Sequence, residues 1–266
     1  MDGVSDGTKR VSEVQVPLKT ELCPKVEEFS TVKSKKKRNK KYLYKEKTVE
    51  DYLLIYNASK VDLSTCKFYE ALLDGFNKAE LNSSNRTFRS IRCLALGKLS
   101  APDRIALWQL SLLGLLVDHF EIPWSNVTLW DPVFEPTDTA IIEALGGKVD
   151  DSDHSVDADT LLYLPHAPVT LIDLILKQCP SESVILGNNV LRYDTKIAPK
   201  TLETRLPTLY STMRMVDGSI PNELSWDLID LPDSLSKGKD WFLAFNDLAL
   251  HIKGRPMRGI ASEIDL

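Results

Sequence analysis

The sequence predicts an α/β protein in which a mostly parallel sheet is covered by helices on both faces. Between residues 90 and 187, short apolar runs alternate with longer amphipathic stretches, which is the pattern of strand–helix–strand crossovers. The chain has 266 residues, of which 43% are hydrophobic and 27% are charged. This composition is typical of a globular protein of one or two domains, and it excludes a wholly disordered or collagen-like chain.

Residues 1–46 are predicted to form a disordered basic tail, because so polar a segment cannot bury enough apolar surface to offset its ordering entropy. Residues 1–47 carry 13 Lys and Arg against 7 Asp and Glu, a net charge of +6, whereas residues 48–266 carry 20 against 31, a net charge of −11. Since the acidic body repels phosphates, nucleic acid is an unfavourable partner except weakly through the basic run that begins at Lys33 and ends at Lys41. That run also fits a nuclear-import signal or a solvated charge run without a dedicated role.

The folded body is predicted to start with two helices. The segment from Thr48 to Asp51 fits a capping box, and a short helix is expected to follow it. A second helix is predicted over residues 65–81, where Phe68, Leu72 and Phe76 share one side.

Strands and helices then alternate. The predicted strands cover residues 91–96, 126–131, 160–164 and 183–187, and the predicted helices between them cover 102–119, 136–145 and 169–177. The first of these helices has an apolar run over 106–117, broken by Gln109 and Ser111, that is too short to span a membrane and is expected to be buried. A helix over 201–214 and strands over 226–231 and 248–253 complete a single domain, 47–253, and residues 254–266 are expected to fray.

Neither export nor disulfide bonding is expected. The first 30 residues carry charges throughout and contain no apolar core of a secretory signal. The four cysteines, Cys23, Cys66, Cys93 and Cys179, form no Cys-x-x-Cys pair. They are therefore expected to be free and mostly buried thiols in a reducing compartment.

A ligand crevice is expected beyond the carboxyl ends of the parallel strands. The predicted strand ends place seven candidate ligand-binding residues there: Gly97, Lys98, Ser100, Asp131, His166, Asn188 and Asn189. The loop that starts at Gly97 could present helix N–H groups to an anion, with Ser100 as the helix cap. It could equally be a plain tight turn, because the Gly-x-Gly-x-x-Gly motif is absent.

The other candidates also have two interpretations each. Asp131 could hold the hydroxyls of a ribose or cap a turn. His166 could act as an acid or base near neutral pH, or it could hydrogen-bond to the backbone. Asn188 and Asn189 could bind a base edge or stabilise a turn. No histidine has metal-ligand spacing, so no metal site is predicted, and the catalytic residues and the cofactor stay unknown.

Five sequence blocks stand at or near these strand ends. They are Leu94-Ala-Leu-Gly-Lys-Leu-Ser100, Trp130-Asp-Pro-Val-Phe134, Tyr163-Leu-Pro-His166, Leu186-Gly-Asn188 and Phe245-Asn-Asp247. Over residues 88–252 they resemble, in order, the blocks of the sensitivity-to-red-light-reduced (SRR-like) domain family. Ala95 stands where that family commonly has a glycine, and Ala167 stands where it often has a cysteine.

The resemblance implies a Rossmann-like domain in the cytoplasm and nucleus. Plant members of the family are associated with light signalling and the clock, animal members with haem metabolism and clock-gene expression, and fungal members with microtubule-related phenotypes. The short basic tail and compact domain look most like a fungal member. We therefore expect a regulatory protein without known turnover in a microtubule-related or signalling process, with a protein partner, a small-molecule ligand as a further option, and no membrane. The alternative is a Rossmann-like enzyme or small-ligand binder, methyltransferase-like or nucleotide-binding, that uses the carboxyl-end crevice.

Overall fold

The structure is a computed structural model that describes residues 47–81, 88–150, 157–220, 226–231 and 239–254. All of these residues belong to one compact unit. The predicted disordered tail with its basic run, and the predicted frayed terminus beyond residue 254, lie outside the described residues.

The described strands form one mostly parallel sheet, as predicted. The strands are β1 (Ser90–Leu94), β2 (Val127–Trp130), β3 (Lys148–Val149), β4 (Thr160–Leu164), β5 (Val184–Asn188), β6 (Trp226–Asp230) and β7 (Leu248–Lys253). Their order across the sheet is β3-β2-β1-β4-β5-β7-β6. The pairs from β3 to β5 are parallel, whereas β7 runs antiparallel to both β5 and β6.

Helices cover both faces of this sheet. They are α1 (Val49–Ser64), α2 (Lys67–Lys78), α3 (Ile105–His119), α4 (Pro136–Ala144), α5 (Val169–Gln178), α6 (Pro199–Arg205), α7 (Pro207–Val216) and α8 (Phe242–Phe245). One hydrophobic cluster holds the inward side chains of α1 to α4 and α8, and a second cluster holds those of α5 to α7. Because successive side chains of a strand point to opposite faces, the fully buried strands serve both clusters.

The capping box predicted at Thr48 is present. The Asp51 N–H donates to Thr48 Oγ1 at 3.3 Å, and the Thr48 N–H donates to Asp51 Oδ2 at 2.9 Å. These bonds satisfy backbone donors that the first turn of a helix leaves open. The helix then continues to Ser64, which makes it longer than the short helix predicted.

The apolar run of α3 is buried along its whole length, as predicted from its composition. The helix packs closely on α1, where Ser111 Oγ donates to the Tyr56 carbonyl oxygen at 3.1 Å. A Cβ atom at Gly114 would lie 2.0 Å from Tyr56 Oη. Glycine at this position therefore allows the two helices to approach one another.

Two predicted helices have wrong boundaries. The helix predicted over 201–214 is two helices, because Pro207 has no N–H to donate and forces Leu206 out of the helical region, to φ −135° and ψ 54°. α3 begins at Ile105 and not at residue 102, because Arg104 adopts a left-handed conformation with φ 61°. β3 and α8, which have two and four residues, were not predicted from the sequence.

The described cysteines are free, and no helix in the described part of the chain is long and apolar enough to cross a membrane. Cys93 and Cys179 are buried, and Cys66 is half-buried. Burial raises the pKa of the Cys179 thiol to about 11 and raises that of Cys93 as well. Cys23 lies outside the described residues.

His251 on β7 is buried as a neutral side chain. Its Nε2 accepts from the Val190 N–H at 3.4 Å, which places the proton on Nδ1, 3.4 Å from the Ile185 carbonyl oxygen. Burial lowers the pKa of His251 from 6.5 to about 4. Between these two values the unfolded chain binds a proton that the folded chain does not.

We expect the free energy of unfolding to fall as the pH is lowered from 7 to 5, by about 2 kcal/mol from His251 alone. The stabilisation is complete above the unfolded pKa of 6.5 and is lost as the pH falls toward the folded pKa of about 4. Urea unfolding of wild type and His251→Gln at both pH values measures this difference. The control is the same substitution at the half-buried His119. It should reduce the pH-dependent loss of the free energy of unfolding by less than His251→Gln does. If the free energy of unfolding of His251→Gln fell as much between pH 7 and pH 5 as that of wild type, His251 would not be the cause of the decline.

Candidate functional site

A cleft of about 500 Å³ opens at the carboxyl ends of β1, β2 and β4. Its lining comes from the loops after these strands, from the first turns of α3 and from the start of α5, and most of it is apolar. β1 lies between β2 on one side and β4 on the other. The cleft therefore lies at the switch point of the sheet, where open α/β proteins bind their ligands.

The loop after β1 is held against the end of β2. The Ala95 N–H donates to the Trp130 carbonyl oxygen at 3.0 Å, and the Gly97 N–H donates to Asp131 Oδ2 at 2.7 Å. Both Ala95 and Gly97 have positive φ, 58° and 86°. Two left-handed residues turn the chain sharply and form one wall of the cleft.

Asp131 makes the contacts expected of a residue that caps a turn. Besides the bond from Gly97, its Oδ1 accepts from the Val133 N–H at 2.9 Å. The carboxylate therefore joins two loops of the cleft. It is half-buried in the cleft lining, and its binding of ribose hydroxyls stays a prediction.

A second carboxylate, Asp138 of α4, supports the same loops from beneath the surface. Asp138 is buried, and its two oxygens accept from the Ser100 N–H at 2.9 Å and from the Glu135 N–H at 2.8 Å. The Lys98 ammonium pairs with the Glu135 carboxylate, and this hydrogen bond raises the pKa of Lys98. The positive charge nearest the loop is thus already matched by a negative one.

The N-terminus of α3 borders the cleft. The position where a helix N-terminus would bind an anion is occupied by a carboxylate of the protein itself. The Ile105 N–H donates to Asp103 Oδ1 at 3.2 Å. The prediction that Ser100 caps this helix is wrong, because Arg104, in a left-handed conformation, occupies the N-cap position and the helix starts only at Ile105. An anion attracted to this helix end would meet the Asp103 carboxylate.

Gln109 and His166 form a hydrogen-bonded pair at the cleft. Gln109 is 0% exposed, and its Nε2 donates to His166 Nδ1 at 3.1 Å and to the Ala244 carbonyl oxygen at 3.1 Å. A carbonyl only accepts, so the contact with Ala244 fixes the amide orientation. His166 Nδ1 then acts as the acceptor, and the proton of the neutral ring is on Nε2. Gln109 Oε1 has no hydrogen-bond partner within the described part of the chain.

The His166 imidazole is neutral at pH 7. Partial burial lowers its pKa, although a hydrogen bond from the ring to the Asn246 side chain and the charge of Asp247 oppose that shift. The ring edge is nonetheless open to the cleft. The second interpretation of His166 predicted a hydrogen bond to the backbone. Its Nδ1 instead accepts a hydrogen bond from a side chain, that of Gln109.

Three of the seven predicted ligand-binding residues do not line the cleft. The Ser100 hydroxyl is buried without a partner. Asn188 donates to Tyr193 Oη at 3.4 Å and lines a separate cavity of about 10 Å³. Asn189 accepts from the Leu191 N–H at 2.9 Å and donates to Asp230 at 3.0 Å, so it stabilises a turn. The structure brings together the other four: Gly97, Lys98, Asp131 and His166.

The SRR1 domain model matches residues 71–252 of this chain, which is more than half of its length. The chain belongs to the SRR1 domain family. The resemblance found in the strand-end blocks is thereby confirmed at the level of the family. Within the described residues of this SRR1 domain, no group of three or more His, Cys, Asp or Glu side chains is placed to hold a metal ion.

A curated relative is the SRR1-like protein of Mus musculus, which is 22% identical over 136 residues. The match covers 47% of this chain and 54% of the mouse protein, so the chain spans about half the length of that relative.

Two solved structures of the plantazolicin methyltransferase BpumL, each in complex with a desmethylPZN analog and SAH, are weakly similar to this chain. The triazolic complex is 12% identical with a TM-score of 0.37, covering 78% of this chain and 95% of that one. The monoazolic complex is 13% identical with a TM-score of 0.33, covering 78% and 98%. Similarity at these TM-scores says nothing about a ligand or an activity of this chain.

Ala95 in this SRR1 domain occupies a backbone conformation that favours glycine. We expect Ala95→Gly to raise the free energy of unfolding by about 0.5–1 kcal/mol, because relief of the left-handed strain exceeds the added freedom of the unfolded chain. Urea unfolding measures the change. Ala106→Gly, the same substitution within α3 at the same cleft, should instead lower stability by about 1 kcal/mol. A loss of stability in Ala95→Gly equal to that of Ala106→Gly would contradict the strain at residue 95.

Proposed function

We propose that this SRR1 domain is a regulatory protein that binds a small molecule in the switch-point cleft and does not convert it. The ionisable groups of the cleft support this proposal because they are already engaged with the protein. Asp131 accepts two backbone N–H groups, Lys98 pairs with Glu135, and His166 Nδ1 is bound by Gln109. General acid–base catalysis needs a group directed at the substrate, whereas groups that hold loops together shape a binding site.

For the biological setting, we infer a microtubule-related or signalling process in the cytoplasm and nucleus, as in a fungal member of the family. The family resemblance of the strand-end blocks supports this inference. A protein partner is part of the proposal, and large apolar side chains on the surface, among them Leu174, Ile220 and Leu243, give such a partner contact area.

A thermal-shift screen tests ligand binding directly. The probes are nucleosides, nucleotides and S-adenosyl-methionine, each added to the full chain. A ligand at about 100 times its dissociation constant stabilises the folded state by about 2.7 kcal/mol, which is a readily measured rise in melting temperature. We expect at least one probe to raise the melting temperature and to be recovered unchanged by mass spectrometry after prolonged incubation.

Two variants locate the binding. Val133 lines the cleft and is 51% exposed, so Val133→Trp should fill the mouth of the cleft and abolish the shift. Val61 on α1 is 65% exposed outside this cleft, so Val61→Trp should retain it. Conversion of the ligand would favour a methyltransferase-like or nucleotide-binding enzyme. The absence of any shift, or an equal shift in both variants, would instead exclude the cleft and favour a role carried by the surface alone.

A further inference from the structure

The unpartnered carbonyl oxygen of Gln109 is the most specific feature of the cleft. Four buried side-chain polar atoms in the described residues have no partner: Arg92 Nε, Ser100 Oγ, Gln109 Oε1 and Asn188 Oδ1. Of the four residues, Gln109 alone lines the cleft. Both protons of its Nε2 are used by His166 and Ala244, so the side chain cannot rotate to satisfy Oε1 without losing two bonds.

We propose that the ligand of this cleft is a planar nitrogen heterocycle that donates an N–H hydrogen bond to Gln109 Oε1 and carries no phosphate. This inference rests on the proposed function and names the ligand class for the same site. A buried acceptor without a donor is unfavourable, and a ligand that supplies the donor removes that cost.

The walls of the cleft favour a flat and largely apolar ligand. The indole of Trp130 lines it, together with the rings of Pro132 and Pro168 and the side chain of Leu171. Flat apolar rings bury the most surface against walls of this kind, and a few polar groups then fix the orientation. In the proposed complex Gln109 Oε1 is the acceptor that fixes it.

The charges of the cleft disfavour a phosphate. Asp103 and Asp131 are carboxylates in the lining, and the Lys98 ammonium is matched by Glu135. The N–H at the start of α3 is already bound by Asp103, and His166 is neutral at pH 7. A phosphate would meet net negative charge without a free positive partner among the described lining residues.

Matched ligand pairs test this class on the full chain labelled with ¹⁵N. The probes are adenine, indole and benzimidazole, each compared with a counterpart in which every N–H hydrogen is replaced by methyl: N6,N6,9-trimethyladenine, 1-methylindole and 1-methylbenzimidazole. Adenosine compared with AMP tests the phosphate. We expect at least one N–H heterocycle to shift the Gly97 amide resonance with a dissociation constant about tenfold or more below that of its methylated counterpart, and adenosine to bind about tenfold or more tightly than AMP.

The variant Gln109→Met, with its folding checked by its melting temperature, should bind both members of each pair equally. Should it fail to fold, the ligand pairs in wild type decide the question by themselves. Equal binding within each pair in wild type, tighter binding of AMP than adenosine, or no shift by any N–H heterocycle overturns the inference. The proposed function still stands if another probe of the thermal-shift screen binds and Val133→Trp abolishes that binding, whereas both fail together if nothing binds.

Discussion

Leu112→Asp is expected to leave no folded protein. Leu112 is fully buried in α3, where every residue from 106 to 117 is buried, so the new carboxylate would have neither water nor a cation beside it. An unpaired buried charge costs several kcal/mol, and the whole margin of a domain is about 5–15 kcal/mol. Far-UV circular dichroism and soluble yield measure the outcome.

The matched control for this substitution is Leu54→Asp. Leu54 lies on α1 and is 69% exposed, so the same chemical change there should alter stability by less than about 0.5 kcal/mol. A soluble and cooperatively unfolding Leu112→Asp variant would mean that this face of α3 is open to solvent. The packing of α3 between α1 and the sheet would then be wrong.

Asp138→Ala should lower the free energy of unfolding by about 3–4 kcal/mol, because hydrogen bonds to a charged group contribute about 1.5–3 kcal/mol each. The substitution removes the acceptor of the Ser100 and Glu135 N–H groups together. It also releases the loop after β1 from the start of α4, so the wall of the cleft should loosen. Urea unfolding measures the loss of stability, and hydrogen exchange at the Gly97 amide measures the loosening.

Two further variants bracket this effect. Asp138→Asn keeps one acceptor oxygen and should fall between wild type and Asp138→Ala. Asp74→Ala removes an Asp with a 59% exposed side chain that pairs with Lys78 at 2.7 Å, and it should change stability by less than about 0.5 kcal/mol. If Asp138→Ala were no more destabilising than Asp74→Ala, the buried carboxylate would not hold the two loops together.

Sequence periodicity predicted the sheet well because its strands are buried on both faces. β4 and β7 have the predicted boundaries, 160–164 and 248–253, since a run of apolar residues must end where burial ends. β3 was missed because two residues carry no period. The prediction of a single helix over 201–214 was wrong because Pro207 disfavours the helical conformation of the residue before it. This steric effect is stronger than the helical pattern of the sequence.

The candidate site could be predicted only where it depends on strand topology. Gly97, Asp131 and His166 follow strands that are adjacent at the switch point, so the rule for parallel sheets places them together. Asn188 is the last residue of β5 and Asn189 follows it. This strand lies one position further from the switch point, and both side chains make other contacts.

Gln109 was missed as a site residue because it comes from a helix and not from a strand end. Its orientation depends on the Ala244 carbonyl, 135 residues further along the chain, and local sequence carries no sign of that contact. A polar side chain within the apolar run over 106–117 was the available signal. Ser111 in the same run gives the same signal, but its hydroxyl is satisfied by Tyr56 and Leu107.

The most direct test of the cleft as the functional site is rescue of cells that lack this chain. The measurement, chosen because a microtubule-related role is proposed, is growth on a microtubule-destabilising drug after expression of wild type, Val133→Trp or Val61→Trp, with protein abundance measured in parallel. If the cleft is the functional site, Val61→Trp restores growth as wild type does, and an equally abundant Val133→Trp does not. Full rescue by Val133→Trp would contradict it, because a filled cleft would then serve as well as an open one.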